Sequence, residues 1–212
     1  MSSLWDLPAR QVLQETASPA PTPGGGSVAA LSGAFGAALV VMALEISLGK
    51  RPDEAEERAI RDLLASLTRH RERLQALADE DVEAFGGYVR ASGLPRDTEE
   101  ERRQRKAALQ EATRAATAAP LEIARVVMAA LDLAPRAAEL VHKEVVSDVG
   151  AGAALLRGAL QASLLTVDIN MPGWPEGERP GLQAERDDLE AGGVARADEV
   201  LRLARERIGA GE

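Results

Sequence analysis

Residues 21–27 read Pro-Thr-Pro-Gly-Gly-Gly-Ser, and the stretch that follows, residues 28–48, contains a single charged residue, Glu45. Two prolines and three glycines within six residues interrupt regular structure, so this segment predicts a turn. The stretch after it is rich in small and apolar residues, which predicts a helix that is apolar all round and therefore buried. We expect Ser27 to be the N-cap of this helix and Gly49 to end it.

Helix signals recur along the rest of the chain, and no convincing strand is seen. Asp6 is the predicted N-cap of a short first helix, Thr98 with Glu101 has the sequence of a capping box, and Pro120 predicts the start of a separate helix that kinks or breaks at Pro135. The predicted helices cover residues 6–16, 27–48, 53–88, 98–117, 120–135, 148–169 and 182–208. We therefore predict an all-α fold, an antiparallel bundle of about seven helices with two central small-residue-rich apolar helices, in one domain over residues 1–212.

Composition limits the possible functions. The chain has 212 residues, no cysteine and only two histidines, which excludes disulfides and argues against a histidine-rich metal site. The formal net charge of −9 and the scarcity of aromatic residues argue against nucleic-acid binding. The first residues lack a basic segment followed by an apolar run, so we expect no signal peptide and a cytoplasmic protein.

One alternative is a membrane helix, because residues 27–48 are long enough to cross a bilayer. The segment is rich in alanine and glycine rather than leucine, and Glu45 would be costly in lipid. We therefore favour the centre of a helical bundle. A buried Glu45 would then need a cation or a polar cavity.

The glycine-rich turn is the first candidate site. Gly24, Gly25 and Gly26 leave the backbone open, and the unpaired amides at the start of the following helix could bind an anion or a flat polar ring. A tight loop with nothing bound explains the same residues equally well. Asp81 lies near the apolar stripe of its helix, where burial would raise its pKa and suit it to carry a proton; a stripe-edge aspartate paired with an arginine is the alternative.

Other polar residues stand at helix ends. Lys50 and Arg51 follow the first apolar helix and could bind an anionic tail or complement the helix C-terminus. Ser147 is the predicted N-cap of a second small-residue helix, with Asp148 in its first turn, and this helix could complete a pocket if it began near the first. The small faces of the two helices could pack within one chain or across a dimer. The basic run of residues 102–106 is interpreted as a solvated helix face.

Taken together, these segments resemble the cyclodeaminase/cyclohydrolase family of folate enzymes, which includes the C-terminal domain of formiminotransferase-cyclodeaminase and stand-alone bacterial methenyltetrahydrofolate cyclohydrolases. The resemblance spans most of the chain and depends mainly on the glycine motif and the alanine-rich helix after it. The matching segments are Pro-Thr-Pro-Gly-Gly-Gly-Ser-Val-Ala-Ala (21–30), Leu-Gly-Lys (48–50), Asp-Glu-Asp-Val-Glu-Ala-Phe (79–85), Ala-Pro-Leu-Glu-Ile-Ala (119–124) and Val-Ser-Asp-Val-Gly-Ala-Gly-Ala-Ala (146–154).

The resemblance implies an all-α homodimer that acts on a tetrahydrofolate, with no metal and no cofactor beyond that substrate. Gly24 to Ser27 would border the folate site, together with Ser147. Asp81, Lys50 and Asp148 match polar positions of the family. On this basis we expect Asp81 to be the base, Lys50 to orient or protonate the substrate, and Asp148 to favour a cationic intermediate by its charge.

Two segments differ from the family pattern. Arg51-Pro52-Asp53 follows Lys50 where a further basic residue and a tyrosine are frequent, and residues 142–144 read His-Lys-Glu where Gly-Asn-Pro-Asn or similar is frequent. Because the chain leaves no room for a formiminotransferase domain, we expect a cyclohydrolase that converts 5,10-methenyltetrahydrofolate to 10-formyltetrahydrofolate. A 5-formiminotetrahydrofolate cyclodeaminase that releases ammonia and a catalytically silent folate-binding dimer are the alternatives.

Overall fold

The structure is a computed structural model that describes residues 3–50 and 53–210. Within these residues it is all-helical, which confirms the predicted fold class. Six α-helices are present in the described part of the chain: α1 (Ala9–Thr16), α2 (Gly25–Ser47), α3 (Glu54–Ser92), α4 (Glu99–Leu140), α5 (Val146–Asn170) and α6 (Arg179–Gly209). Short 3-10 turns cover Leu4–Asp6, Lys143–Val145, Met171–Gly173 and Glu176–Glu178. That residues 1–212 form one domain stays a prediction.

Helix α2 lies at the centre of an antiparallel bundle. Its N-terminal Ser27 contacts Asp81 of α3, whereas its middle, at Gly33, faces Leu74 of α3 and Ala159 of α5. Both neighbours therefore run opposite to α2. Because thirteen residues of α2 are buried, this helix has the all-round apolar character that the sequence indicates.

Helices α2 and α5 approach closely through glycine. A β-carbon placed at Gly152 would lie 2.6 Å from the carbonyl oxygen of Gly36, and one placed at Gly36 would lie 2.8 Å from the carbonyl oxygen of Gly152. Neither position has room for a side chain, since backbone oxygens cannot move aside as a flexible side chain can. The small faces of the two apolar helices thus pack within one chain, an alternative that the sequence left open.

The bundle has six helices instead of about seven because α4 is continuous through two prolines. A proline at position 120 removes the amide that would bond to the carbonyl of Ala116. The Asn170 side chain supplies a replacement, donating from Nδ2 to that carbonyl at 2.9 Å. The expected helix boundary between Thr117 and Pro120 is therefore wrong, and Pro135 also lies inside the helix.

Several predicted helix boundaries also differ from the structure. Helix α2 begins with Gly24 as its N-cap, so Ser27 is not the cap but the third helical residue. Helix α5 continues directly from the 3-10 turn Lys143–Val145 and begins at Val146, so Ser147 is not a cap either. Asp6 ends a 3-10 turn, and α1 begins after Pro8.

Helix α3 contains Gly86 and Gly87 and continues to Ser92, four residues beyond the predicted end at residue 88. Each glycine costs a helix only about 1 kcal/mol, which packing against neighbouring helices can outweigh. The capping box at Thr98 and Glu101 is present as predicted.

Length and composition alone would allow α2 to cross a membrane. However, 61% of the residues in its most apolar window are buried inside the bundle.

The glycine contact between α2 and α5 can be tested by substitution. We expect Gly152→Ala to lower the free energy of unfolding by about 1–3 kcal/mol, because the added methyl group meets a backbone oxygen and Val40. Gly181→Ala in α6 is the matched control, since a β-carbon there has no neighbour within 4 Å among the described residues. Chemical denaturation of both variants measures the difference, and equal stabilities would contradict the proposed role of this contact.

Candidate functional site

The glycine-rich turn delivers the N-terminus of α2 to one end of the bundle. Gly24 caps the helix without a side chain, and the first hydrogen bond within the helix runs from the Val28 amide to the Gly24 carbonyl at 3.0 Å. The preceding amides have no partner of this kind within the helix, and they form its positive end. Because residues 24–26 carry no side chains, another group can approach this end closely.

Asp81 of α3 lies against this helix end. The fully buried Ser27 hydroxyl donates to Asp81 Oδ2 at 2.7 Å. Gly26 is adjacent, and a β-carbon there would lie 2.7 Å from Asp81 Cγ, so the carboxylate occupies the space that any side chain at position 26 would need. Ser27 therefore holds the carboxylate in place, a role that differs from the capping role predicted from the sequence.

Burial raises the pKa of Asp81 above its usual range, and hydrogen bonds from the Ser27 hydroxyl and amide partly offset this increase. A carboxyl group with a raised pKa can both accept and return a proton close to neutral pH. No arginine in the described part of the chain pairs with Asp81, in contrast to the alternative considered from the sequence; Ser27 is its hydrogen-bond donor.

A cavity of about 260 Å³ opens on this carboxylate. The turn and α3 form one side, and the end of α5 with Ala116 of α4 forms the other. Its lining consists of Pro21, Thr22, Gly24, Gly25, Gly26, Asp81, Phe85, Ala116, Thr166, Ile169 and Asn170. The cavity thus combines one carboxylate with apolar walls and a few polar groups, which is the usual character of a small-molecule site.

Thr166 and Asn170 were missed by sequence reasoning. Both lie on the last turn of α5, and Asn170 also bonds to the Ala116 carbonyl, so its position is fixed. The only signal in the sequence was a pair of polar residues at the end of an apolar helix. That signal does not reveal that the end of α5 meets the start of α2.

Lys50, Ser147 and Asp148 lie at the opposite end of the bundle. The His142 amide just before α5 donates to Ser47 Oγ at 2.7 Å, which places the start of α5 beside the end of α2. Since α2 has 23 residues, its two ends are about 34 Å apart. The expectation that the two apolar helices begin near each other is therefore wrong, because they are antiparallel.

None of these three residues lines the cavity at Asp81. Lys50 and Ser147 are exposed and Asp148 is half-buried. Within one chain the structure unites Gly24, Gly25, Gly26 and Ser27 with Asp81, and it separates Lys50, Ser147 and Asp148 from them.

Other residues that the sequence analysis names lie away from the cavity or outside the described residues. Glu45 is exposed on the outer face of α2, so the expected buried charge is wrong. His142 is also exposed, and Arg51 lies outside the described residues. Among the described residues, no group of three or more histidine, aspartate or glutamate side chains is placed to hold a metal ion.

Comparisons with known proteins agree with this architecture. Residues 8–179 match the family model described as formiminotransferase-cyclodeaminase. The chain is 40% identical over 161 residues to a methenyltetrahydrofolate cyclohydrolase of Methylorubrum extorquens, covering 76% of this chain and 77% of that protein. It is 35% identical over 172 residues to the mouse formimidoyltransferase-cyclodeaminase, covering 80% of this chain but 31% of that longer protein.

A solved structure is also similar. The crystal structure of formiminotetrahydrofolate cyclodeaminase from Thermotoga maritima superimposes with a TM-score of 0.85 at 25% sequence identity. The match covers 96% of this chain and 98% of that one. The helical architecture is therefore shared along almost the whole of both chains.

The half-buried carboxyl group of Asp81 predicts a pH-dependent effect on stability. Because the folded-state pKa of Asp81 is above the unfolded value, ionisation of Asp81 costs stability once the pH rises past the unfolded pKa of 3.8. Relative to the parent protein, Asp81→Asn should therefore gain free energy of unfolding between about pH 4 and about pH 7. Urea unfolding at both pH values measures the gain, with Asp188→Asn on the exposed surface of α6 as the control. If Asp81→Asn instead lost free energy of unfolding relative to the parent protein as the pH rises, the direction of the pKa shift would be contradicted.

Proposed function

Because the chain belongs to the formiminotransferase-cyclodeaminase family, we propose that it is a folate one-carbon enzyme that hydrolyses 5,10-methenyltetrahydrofolate to 10-formyltetrahydrofolate. The relative from Methylorubrum extorquens named for this reaction matches over most of its own length. The vertebrate relatives are bifunctional by name, and this chain spans about a third of the mouse protein. The similarity to the cyclohydrolase, which covers 77% of that relative, favours the hydrolytic reaction.

The observation that carries the proposal is the half-buried Asp81 carboxylate at the glycine-rich start of α2. The substrate has a cationic carbon between N5 and N10, and an anionic carboxylate next to it stabilises that charge. The glycines leave the backbone amides open to the polar edge of a pterin ring, and Phe85 provides an apolar wall. The cavity thus offers groups that suit both the charge and the shape of the reacting centre.

Hydrolysis requires proton transfers that one carboxylate can assist. As water attacks the bridging carbon, Asp81 takes one of its protons, giving a neutral carbinolamine. The bond from carbon to N5 then breaks while N5 gains a proton and the hydroxyl group loses one, leaving the formyl group on N10. The sum is the methenyl cation plus water giving 10-formyltetrahydrofolate plus one proton. A raised pKa lets Asp81 deliver the proton as well as accept it.

The cyclodeaminase reaction is the second candidate, and the similarity to the Thermotoga maritima cyclodeaminase favours it. In that reaction N10 attacks the formimino carbon of 5-formiminotetrahydrofolate and ammonia leaves. The same carboxylate would accept the N10 proton. The two reactions are distinguished by product, since only the cyclodeaminase reaction releases ammonia and forms the methenyl chromophore.

Substitution of Asp81 tests the proposed role directly. Asp81→Asn should remain folded and lose at least about 100-fold in kcat, because the amide cannot accept a proton. The loss of methenyltetrahydrofolate absorbance measures hydrolysis. Glu83→Gln, an exposed acid on the same helix outside this cavity, is the matched control and should retain the parent rate.

A folded Asp81→Asn protein with a near-normal rate would show that Asp81 is not the base. If the parent protein bound methenyltetrahydrofolate without consuming it, and released no ammonia from the formimino compound, the catalytically silent alternative would be favoured.

The proposal extends to a homodimer in which the second copy completes the site. Within one chain, the described residues that line the cavity include one ionisable group, Asp81. The other polar positions implied by the family resemblance, Lys50 and Asp148, lie about 34 Å away along α2. A second copy placed in the opposite direction would bring them beside Asp81.

Exposed apolar side chains support this arrangement. Helices α2 and α5 pack against each other, and both carry large apolar side chains that are 39–76% exposed: Phe35, Met42, Ile46, Leu155, Leu165 and Ile169. Exposed large apolar side chains in such numbers are typical of an interface. Most homodimers are related by a two-fold axis, and an axis perpendicular to α2 near its middle reverses the helix pair. The Lys50 end of one copy then meets the Asp81 end of the other.

Mixing two inactive variants tests the shared site. Asp81→Asn and Lys50→Met homodimers should each be inactive. After mixing at equal concentration and exchange of subunits, about a quarter of the parent activity should return, because half of the dimers are mixed and each has one intact site of two. A mixture of Asp81→Asn with Asp81→Ala is the control and should stay inactive. No recovery after exchange demonstrated by mass labelling would contradict the shared site.

Three further proposals follow from the sequence and the family resemblance. We expect cytoplasmic localisation, no cofactor besides the folate substrate, and Ser147 at the folate in the shared site. The expected localisation comes from the sequence, and the other two proposals come from the family resemblance. Fractionation of cells, and activity after exhaustive chelation, are the corresponding measurements.

A further inference from the structure

The chain contains a single asparagine, Asn170, which lines the candidate site at the end of α5. Asparagine before a helical turn usually caps that turn with its own side chain. Asn170 precedes the 3-10 turn Met171–Gly173 but makes no capping bond to it. Its Nδ2 group instead donates to the carbonyl oxygen of Ala116 in α4 at 2.9 Å. A contact with a residue 54 positions away therefore replaces the usual local one.

This bond determines which way the Asn170 amide faces. A carbonyl oxygen can only accept a hydrogen bond, so the atom that contacts Ala116 is the nitrogen, and the remaining polar atom is the oxygen Oδ1. In the described part of the chain no group donates to Oδ1, and Oδ1 is accessible to solvent. Asn170 thus brings a hydrogen-bond acceptor of fixed orientation to the site.

Pro120 is the reason that the Ala116 carbonyl needs this donor. In a regular helix the amide of residue 120 would bond to the carbonyl of residue 116, and proline has no amide hydrogen. Pro120 lies inside α4 and is buried. A carbonyl without a partner is unfavourable in such a place, and a reversed Asn170 amide would set one oxygen against another. The proline therefore holds Nδ2 on α4 and leaves Oδ1 to a ligand.

Hydrogen-bond donors face this acceptor across the cavity. A β-carbon placed at Gly25 would lie 3.5 Å from Thr166 Oγ1, so the start of α2 is close to the last turn of α5. The amides of Gly25 and Gly26 have no partner within α2, because they belong to its first turn. Thr166 itself is occupied, since its hydroxyl donates to the Ala162 carbonyl at 3.2 Å. The cavity thus offers donors from α2 and an acceptor from α5.

We propose that Asn170 Oδ1 accepts a hydrogen bond from the 2-amino group of the pterin ring, and that Pro120 is the positioning residue that aims it. This inference rests on the proposed folate function and specifies the part of the substrate that the site recognises. The pyrimidine edge of a pterin has a carbonyl oxygen beside two N–H groups, of which the 2-amino group is outermost. The Gly25 and Gly26 amides suit the oxygen, and Asn170 suits the amino group.

The orientation of Asn170 can be measured without a ligand, because isotopic nitrogen labelling of the single asparagine gives one side-chain amide signal. Hydrogen exchange of Nδ2 should be at least about tenfold slower in the parent protein than in Pro120→Ala, where residue 120 has an amide that can bond to Ala116. Pro135→Ala, at the other proline inside α4, is the matched control and should exchange at the parent rate. Equal exchange rates in the parent and Pro120→Ala would overturn the role of Pro120.

Recognition of the amino group is measured with 5-formyltetrahydrofolate and an analogue that has hydrogen in place of the 2-amino group. Neither compound has the cationic bridge, so calorimetric binding does not depend on hydrolysis. We expect the parent protein to bind the amino compound about tenfold more tightly than the analogue, and Asn170→Leu to bind the two about equally. Gln183→Leu removes an exposed amide on α6 outside the cavity and should keep the parent ratio.

A double variant separates recognition from a loss of structure. Asn170→Leu leaves the Ala116 carbonyl without its donor, whereas Asn170→Leu with Pro120→Ala supplies the amide of residue 120. The double variant should regain the thermal stability that Asn170→Leu loses and still bind the two compounds equally. A parent ratio of about one, or a parent-like ratio in the double variant, would contradict recognition by Asn170. Absence of hydrolysis with the parent ratio intact would count against the proposed function alone.

Discussion

The close approach of α2 and α5 at Gly36 and Gly152 is the constraint on which the rest of the structure depends. Where each glycine lacks a side chain, the other presents a backbone carbonyl, so the two axes can lie closer than side chains would allow. This contact fixes the central helix against its antiparallel neighbour. It also fixes the position of the α2 N-terminus relative to the end of α5, where the candidate site lies.

The site is therefore a consequence of helix packing rather than of one loop. The turn supplies open amides, α3 supplies Asp81, α4 supplies Ala116, and the last turn of α5 supplies Thr166 and Asn170. Asn170 has two roles, because it lines the cavity and also replaces the hydrogen bond that Pro120 removes from α4. Chemistry and stability share the same contacts here.

The antiparallel direction of α2 and α5 has a second consequence. It separates the two ends of α2, and with them the two groups of polar residues that resemble the family pattern. Under the proposed function, chemistry that needs both groups would therefore require two chains. The segment at His142, where this sequence departs from the family, belongs to the half that a second copy would contribute.

The sequence by itself determined the helical class, the buried character of α2, the glycine-rich turn and the family. These features depend on local composition and on the spacing of apolar residues, both of which are visible in a single chain. Tertiary structure decided that Ser27 holds Asp81 instead of capping its helix, and that α4 passes through Pro120. It also decided that Lys50 and Asp148 lie far from Asp81. Each of these features depends on a partner that is distant in sequence, as the Ala116 carbonyl depends on Asn170. The spacing of residues along one helix carries no information about the direction in which a neighbouring helix runs.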